Sequence, residues 1–210
     1  MSRNEPIAVI DFETTGMTPA QGARATEIAI VLLQDGQIVD RFQSLMRTGA
    51  RIPAFITQLT GITNAMVAGA PPAHDVMREA ARFVGGAQMV AHNASFDSKF
   101  WAAELAHADI RATQGFACTV LLSRRLYPQA RSHSLGNIVD HLGLPRAGRA
   151  HRALADAEMA AFLLARIQRD LRETWGIEEP GFEVLNGLQR CARPAVARWL
   201  ARHRDLGATQ

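Results

Sequence analysis

The chain has 210 residues, 48% of them hydrophobic and 20% charged, with a formal net charge of +3. At this length a globular domain buries roughly 70% of its unfolded surface and needs no disulfide or structural metal to fold. No apolar run approaches the ~20 residues of a membrane helix, and the first six residues lack the apolar core of a signal peptide, so we expect a cytoplasmic protein with no membrane partner.

The first part of the chain predicts strands. Residues 6–13 form an apolar run with the pattern of a buried strand. Residues 26–46 predict two strands joined at Asp35 and Gly36, because Asp-Gly between apolar runs is a strong hairpin signal. Residues 51–67 give mixed signals and predict no single element.

Helices and short strands alternate in the rest of the main segment. Short buried strands are predicted at 87–93 and at the start of 116–128. Helices are predicted at 72–86, 95–108, 133–144 and 152–175, with a further helix that ends before Pro128. An antiparallel strand group followed by alternating helices and strands predicts an α/β fold, with a mixed sheet and helices on both faces.

The character of the chain changes after Gly176, where a turn-rich connector leads into a basic helical tail that Pro194 divides. We expect residues 1–175 to form the main domain and residues 176–210 a short helical extension of unknown role. Lys99 is the only lysine, so nearly all of the positive charge is arginine, which contacts phosphate in a bidentate manner. The tail arginines either bind nucleic acid or a partner, or lie in solvent on a packed helix, which is the simpler interpretation: Arg190, Arg193, Arg198 and Arg202.

Two acidic residues stand near the end of the first predicted strand, Asp11 and Glu13. Side chains two apart on a strand share a face, so these carboxylates repel each other unless a cation lies between them. Mg²⁺ takes oxygen ligands, often one or two carboxylates together with substrate phosphates. The turn at 14–16 would expose backbone N–H groups at the strand end, where ligands bind in open α/β sheets. A solvated strand end without any metal is the ordinary alternative.

Two later segments place polar residues at the ends of apolar elements. A buried strand ends at His92 and Asn93, and Asp97 falls in the next helical turn, where the helix dipole alone would stabilise an acid. Asn93 also suits a plain turn. His151 and Asp156 are five residues apart, roughly 140° around a helix, so we expect His151 in a loop and Asp156 on the second helical turn, both facing one site. A surface or capping histidine is the alternative for His151.

In this order the three motifs resemble the DEDDh branch of the DnaQ-like 3'-to-5' exonucleases. The family pattern is D-x-E on the first strand, HNxxFD in the middle and H-x(4)-D on a late helix, here DFE, HNASFD and HRALAD. Further blocks match in register, namely EIAIV, IPAFITQLTGIT, APP and HSLGNI, so that the resemblance covers about residues 6–170. It implies a ribonuclease H-like fold with a five-stranded mixed sheet.

The resemblance also implies a metal-dependent exonuclease that acts on single-stranded 3' ends and releases nucleoside 5'-monophosphates. Its cofactors would be two divalent ions, Mg²⁺ or Mn²⁺. Asp11 would bridge both ions, Glu13 and Asp156 would complete the first site, and Asp97 would hold the second ion. His151 is implied as the general base, a role that suits imidazole because it titrates near neutral pH.

Contacts with the terminal nucleotides are implied less directly, for Phe12, Thr14, Thr15, Met17, Leu59, Thr60, Asn93 and Phe96. The two turn threonines would meet the terminal 3'-hydroxyl through their backbone. Core packing is an equal alternative for Met17, Leu59 and Phe96. His133 either approaches a phosphate or caps a helix.

One position departs from the family pattern. Phe55 stands in the block IPAFITQLTGIT where many relatives carry a glutamate or another polar residue, which in several contacts the terminal sugar. The change predicts weak discrimination at the terminal 3'-hydroxyl, and it weakens any choice between RNA and DNA, of which DNA is favoured.

Several functions fit these residues. The chain could be a proofreading subunit that associates with a DNA polymerase, an RNA-processing nuclease or a DNA-trimming enzyme. The short tail without a clamp-binding peptide favours a stand-alone enzyme. An adaptor module that binds nucleic acid or a polymerase without catalysis is the alternative from another class, although all five family residues are present. A hydrolase of small phosphates has only the D-x-E pair in its favour, and the oligomeric state is open.

Overall fold

The computed structural model describes residues 5–207. Residues 1–4, the start of the segment expected to lack a signal peptide, and residues 208–210, the end of the extension, lie outside the described residues. The strands are β1 (Ile7–Thr14), β2 (Ala25–Gln34), β3 (Gln37–Leu45), β4 (Met89–Ala91) and β5 (Phe116–Cys118). The helices are α1 (Ala54–Thr60), α2 (Asn64–Ala68), α3 (Ala73–Val84), α4 (Ala94–Ala106), α5 (Thr119–Leu126), α6 (Leu135–His141), α7 (Ala153–Glu173), α8 (Phe182–Arg190) and α9 (Val196–Gly207), with 3-10 turns at Pro19–Gln21 and Arg193–Ala195.

The five strands form one mixed sheet in the order β3-β2-β1-β4-β5, which confirms the predicted fold class. β1, β2 and β3 pair antiparallel, whereas β4 pairs parallel with β1 and β5 pairs parallel with β4. Because β1, β4 and β5 run in one direction, their carboxyl ends meet at one edge, where ligands bind in open α/β sheets. The end of the D-x-E strand and the segment after β4 therefore share that edge.

Local turn chemistry explains the hairpin and the segment with mixed signals. Asp35 and Gly36 both have positive φ, 50° and 78°, which is the backbone that a tight two-residue hairpin requires. The predicted hairpin is therefore confirmed. In the segment with mixed signals, residues 51–67, Gly61 with φ 76° ends α1 and separates it from α2. The segment therefore forms two short helices.

The two faces of the sheet support two separate cores. Val9 and Val31 face a cluster that includes α7, whereas Ile10 and Ile30 face a cluster that includes α3 and α4. Alternate residues of one strand point to opposite faces, and both faces of β1 and β2 are apolar. The helices therefore cover both sides of the sheet, as the sequence predicts.

Two helix boundaries differ from the prediction. α6 is shorter than 133–144, because Ser134 has extended backbone at its start and the chain leaves the helix at Leu142. His133 consequently lies in the loop before α6. α7 starts at Ala153, which places Asp156 in its first turn instead of its second.

The C-terminal helices pack on the larger core cluster. Leu185, Leu188 and Leu200 are fully buried in it, while the tail arginines are exposed. This is the packed arrangement that the simpler interpretation expects. The division of the chain near residue 176 stays a prediction. Within the described range, no helix has the length and apolarity that crossing a membrane requires.

Candidate active site

β1 carries the D-x-E pair to the shared edge of the sheet. Asp11 and Glu13 lie on the same face of the strand as Val9, which is the face covered by α7. The ladder with β2 is irregular directly after Glu13, where β1 approaches its end. Both carboxylates therefore reach the strand end with their side chains directed toward the helix that carries Asp156.

α4 brings the third acid to the same place. Asp97 is 2% exposed and lies in the first turn of α4. Its Oδ1 accepts a hydrogen bond from the backbone N–H of Phe12 at 3.2 Å. Asn93, with φ 73°, turns the chain from β4 into α4. This bond fixes Asp97 beside the residue that separates Asp11 from Glu13.

The loop before α7 supplies His151 next to the fourth acid. His151 has φ 59°, a left-handed backbone, and its N–H donates to Asp156 Oδ2 at 3.1 Å. One metal-binding atom from each of Glu13, His151 and Asp156 lies within 4.8 Å of the others. The loop position expected for His151 is thus the one observed, and residues from opposite ends of the domain meet here.

The four carboxylates repel one another. Burial, and then the charges of Asp97, Asp156 and Glu13, hold the pKa of Asp11 well above its usual range. Burial, followed by the charge of Asp156, raises the pKa of Glu13 to about 8. Burial also raises the pKa of Asp97 to about 7 and raises that of Asp156. Among residues 5–207, no arginine or lysine forms an ion pair with any of the four. An oxygen-rich cluster of this kind fits hard divalent cations.

A buried acid that the motif reasoning missed holds the His151 loop in place. Glu27 is fully buried and accepts from Arg152 Nε at 3.1 Å and Nη2 at 2.7 Å, and from the Ala153 N–H at 3.1 Å. Burial alone would raise the pKa of Glu27, but these hydrogen bonds outweigh it and hold the pKa below its usual value. Glu27 pairs across the ladder with Glu13. An acid inside the apolar run TEIAIV was the available signal.

Several residues implied as substrate contacts have partly or fully buried side chains. Phe12 is 4% exposed and packs against Phe100, with ring centroids 6.3 Å apart. Phe96 packs against the same ring at 4.8 Å. Thr60 is buried and its hydroxyl donates to the Ile56 carbonyl. Because these side chains are buried, Phe12 and Thr60 have little more than their backbone with which to contact a nucleic acid strand.

Other implied contacts are open to solvent. Met17 is 78% exposed, and Phe55 and Leu59, which share one face of α1, are 64% and 48% exposed. A side chain at Gly61 would lie 2.7 Å from Nη1 of Arg149, so the end of α1 contacts the loop before α7. The helix that carries the exposed side chains of Phe55 and Leu59 thus ends next to that loop.

The threonine turn after the D-x-E pair is tightly held. The Thr14 hydroxyl donates to the Gly16 carbonyl at 2.7 Å. The Thr15 N–H donates to the Arg24 carbonyl, and the Thr15 hydroxyl accepts from the Arg24 N–H. The backbone N–H of Thr15 is therefore already hydrogen-bonded within the protein.

Two other histidines near this edge, His92 and His133, make hydrogen bonds within the protein. His92 bonds through Nδ1 to the Thr119 hydroxyl at 2.9 Å and through Nε2 to the His133 carbonyl at 3.0 Å. Burial lowers the pKa of His92 to about 4, so the ring is neutral near pH 7. His133 uses its Nδ1 for Ser123 at 3.0 Å instead of for a cap of α6.

The mixed sheet and the carboxylate cluster at its edge define a ribonuclease H-like nuclease. A family model described as exonuclease (RNase_T) matches residues 8–164, which is more than half of the chain. The chain therefore belongs to this exonuclease family, and the predicted membership of the DnaQ-like DEDDh group is confirmed.

Individual relatives agree with this assignment. A Bacillus subtilis protein described as 3'-5' exonuclease DinG is 38% identical over 169 residues, covering 79% of this chain and 18% of that protein. The DNA polymerase III subunit epsilon of Aquifex aeolicus is 34% identical over 172 residues, covering 80% and 83%. The structure of exonuclease X in complex with 5' overhanging duplex DNA has a TM-score of 0.68 at 30% identity, covering 86% and 99%. The chain thus spans under a fifth of the first relative.

Proposed function

We propose that this protein is a metal-dependent 3'-to-5' exonuclease that releases nucleoside 5'-monophosphates. The observation that carries the proposal is that Asp11, Glu13, Asp97 and Asp156 meet beside His151, and that none of these four acids forms an ion pair with an arginine or lysine of the described residues. Groups with strongly shifted pKa values in one cluster are typical of catalytic sites.

The donor set fits two divalent cations, Mg²⁺ or Mn²⁺, because all four acids offer hard oxygen ligands. Asp11, Glu13 and Asp156 would hold one ion, and Asp97 together with Asp11 would hold the other. When bound, the ions would stabilise the negative charge that develops on the attacking and leaving oxygens of an in-line displacement. The raised pKa values of the four acids support this, since cations would relieve their repulsion.

His151 would act as the general base. It would take a proton from the water whose oxygen attacks the terminal phosphorus, while the bond from that phosphorus to the 3'-oxygen of the preceding nucleotide breaks. The backbone bond from His151 to Asp156 and the anchoring of Arg152 by Glu27 would orient the imidazole. The products are a nucleoside 5'-monophosphate and a strand with a new 3'-hydroxyl.

The terminal nucleotides would lie over the exposed apolar surface beside the site. Met17 and Leu59 would contact the last base, because large exposed apolar side chains suit stacking with bases. Thr14 would approach the 3'-hydroxyl through its backbone. Asn93, exposed at the start of α4, would contact the strand near the scissile bond, with Phe96 beneath it.

We propose DNA in preference to RNA as the substrate. The names of the relatives support this, since they include a DNA polymerase III subunit and an exonuclease bound to duplex DNA. The same names support a DNA polymerase as a partner, and PolC-type polymerases are among the relatives. We nevertheless propose a cytoplasmic enzyme that cleaves nucleic acid without requiring such a partner. The adaptor module without catalysis is the alternative.

The test uses 5'-labelled single-stranded DNA and RNA of one sequence and a mismatched primer-template, each with Mg²⁺ or Mn²⁺. An Asp11→Ala preparation tests the site, and Asp75→Ala, an exposed acid on α3, is the matched control. We expect a ladder shortening from the 3' end that requires metal, persists in Asp75→Ala and disappears in Asp11→Ala. No ladder on any substrate would overturn the stand-alone enzyme in favour of a partner-dependent nuclease or the adaptor.

A further inference from the structure

A basic cavity lies outside the carboxylate cluster, between α5, the loop before α6 and the 3-10 turn of the extension. Its volume is about 450 Å³, and it is lined by Arg124, Arg125, Pro128, Ala130, His133 and Arg193. None of these six lining residues is acidic. Because guanidinium groups bind phosphate oxygens in a bidentate manner, walls of this composition suit a phosphate group.

Two of the arginines have no carboxylate partner within the described part of the chain. Arg124 and Arg193 are exposed and take part in no ion pair there, although other surface arginines do, such as Arg146 with Asp140. Burial, followed by the charges of Arg124 and Arg193, lowers the pKa of His133. The cavity therefore carries a positive potential even when the imidazole is neutral.

The cavity is fixed by hydrogen bonds between distant segments. Arg125 Nε donates to the Cys191 carbonyl at 2.9 Å, and its Nη1 donates to the Leu121 carbonyl at 2.8 Å. The first bond joins α5 to Cys191 at the end of α8, two residues before Arg193. The extension thus delivers Arg193 to a wall that the main domain forms on the other side.

The same cavity is linked to the catalytic edge of the sheet. The His133 carbonyl is bonded to His92 Nε2, and His92 directly precedes Asn93, which starts the helix of Asp97. The ring of His133 is in turn held by Ser123 of α5. A strand whose 3' end lies at the carboxylates could therefore extend toward this cavity.

We propose that the cavity formed by Arg124, Arg193 and His133 binds a phosphate group of the substrate strand on the 5' side of the scissile bond. The proposal rests on the proposed function, since it assumes that a strand ends at the carboxylate cluster. The two arginines supply the contacts, and the C-terminal extension becomes part of the substrate site. A free phosphate group, as on a released nucleotide, has the same chemistry and is the second source to distinguish.

The experiment compares Arg124→Gln/Arg193→Gln with Arg198→Gln/Arg202→Gln, which removes the same charge from exposed positions on α9. Binding of a labelled ten-nucleotide DNA strand is measured by anisotropy in EDTA across a range of KCl. We expect the cavity variant to bind about fivefold more weakly than the control, as lost exposed ion pairs imply. The slope of log affinity against log salt should fall by about 0.7 for one lost phosphate contact. An Arg124→Lys/Arg193→Lys variant should keep most of the slope.

Shorter ligands separate the outcomes. In Mg²⁺, the two variants should differ less in cleavage of a dinucleotide without a 5'-phosphate than in cleavage of the ten-nucleotide strand, because the only phosphate of the dinucleotide is the scissile one. Equal binding of the ten-nucleotide strand by the cavity and control variants would overturn the proposal. Loss of inorganic phosphate binding without loss of strand binding would assign the cavity to free phosphate and also overturn it. If the wild type cleaves nothing, the proposed function fails, while the comparison of strand binding in EDTA still decides the cavity.

Discussion

Two groups of acids in this protein differ in whether an arginine neutralises them. Glu27 and Glu104 are fully buried, and each is held by a bidentate arginine, Arg152 and Arg24, and by a backbone N–H group. The second group consists of the partly or fully buried acids of the candidate site, none of which forms an ion pair with an arginine or lysine of the described residues: Asp11, Glu13, Asp97 and Asp156. The same chain therefore neutralises Glu27 and Glu104 with its own arginines, whereas in the proposed function divalent cations would neutralise the other four acids.

The difference follows from the cost of burying charge. A buried carboxylate is tolerated when a cation and hydrogen bonds replace its hydration, and it is costly when they do not. Glu27 satisfies that condition within the fold, so its pKa is lowered, whereas the pKa values of the site acids are raised. Any cation that binds only the folded site would stabilise the protein.

The sharpest test of this contrast removes one site acid. Asp11→Asn should lower exonuclease activity by more than about 100-fold, beyond the loss typical of residues that only support a metal ligand. Its melting temperature in EDTA at pH 8 should stay equal or rise, because mutual repulsion is reduced. Activity assays and thermal melts check this, with Asp75→Asn as the control. A substantially lower melting temperature of Asp11→Asn would contradict the view that Asp11 destabilises the metal-free fold.

The opposite result is expected for an internally paired acid. Glu27→Gln should destabilise the fold by about 2 kcal/mol, less than for a fully buried pair because Arg152 keeps 33% of its side chain exposed. Activity should fall about tenfold even where the variant is folded, since the loop of His151 loses its anchor. Glu104→Gln is the matched control and should lose similar stability with a smaller loss of kcat. Equal kcat losses would count against a positioning role for Glu27.

The unpaired acids also predict the pH dependence of the metal-free protein. The pKa of Glu13 rises from 4.5 to about 8, and that of Asp97 from 3.8 to about 7, so the folded state binds protons more tightly than the unfolded chain. This contribution to stability is complete below the unfolded values and is lost as pH rises through about 7 and 8.

In EDTA, the contribution of Glu13 and Asp97 to the stability of the fold should therefore fall between pH 5 and pH 9. Glu13→Gln should remove part of this fall, and thermal melts across the pH range would measure it. Mg²⁺ should oppose the fall, because in the proposed function it would bind the ionised acids. A wild type and a Glu13→Gln variant with parallel pH profiles would contradict the assignment of this effect to Glu13.

The smallest expected effect adds an acid instead of removing one. Phe55→Glu should improve discrimination between 3'-hydroxyl and 3'-deoxy ends by about fivefold, the equivalent of one hydrogen bond. The wild type should trim both ends at comparable rates. Rates of removal of the last nucleotide measure this, with Met66→Glu on α2 as a control at another exposed apolar position. Strong discrimination by the wild type would contradict the prediction.

The sequence by itself determined the features that are local or periodic. The near-continuous apolar runs of β1 and β2 predict strands buried on both faces. Asp35-Gly36 predicts the hairpin because few residue pairs tolerate positive φ at both positions. The resemblance of three motifs and several further blocks to a known family also needed only the sequence, and the match of the exonuclease family model over residues 8–164 confirms that family. These signals require no knowledge of contacts between distant segments.

Tertiary structure alone decided which distant groups meet. Glu27 and Arg152 are far apart in sequence, and their pairing depends on α7 packing against the hairpin. The convergence of Arg124 and Arg193 depends likewise on the extension folding back on α5. Charge pairing acts over a few ångströms between side chains, and only the packed chain determines which side chains come within that distance.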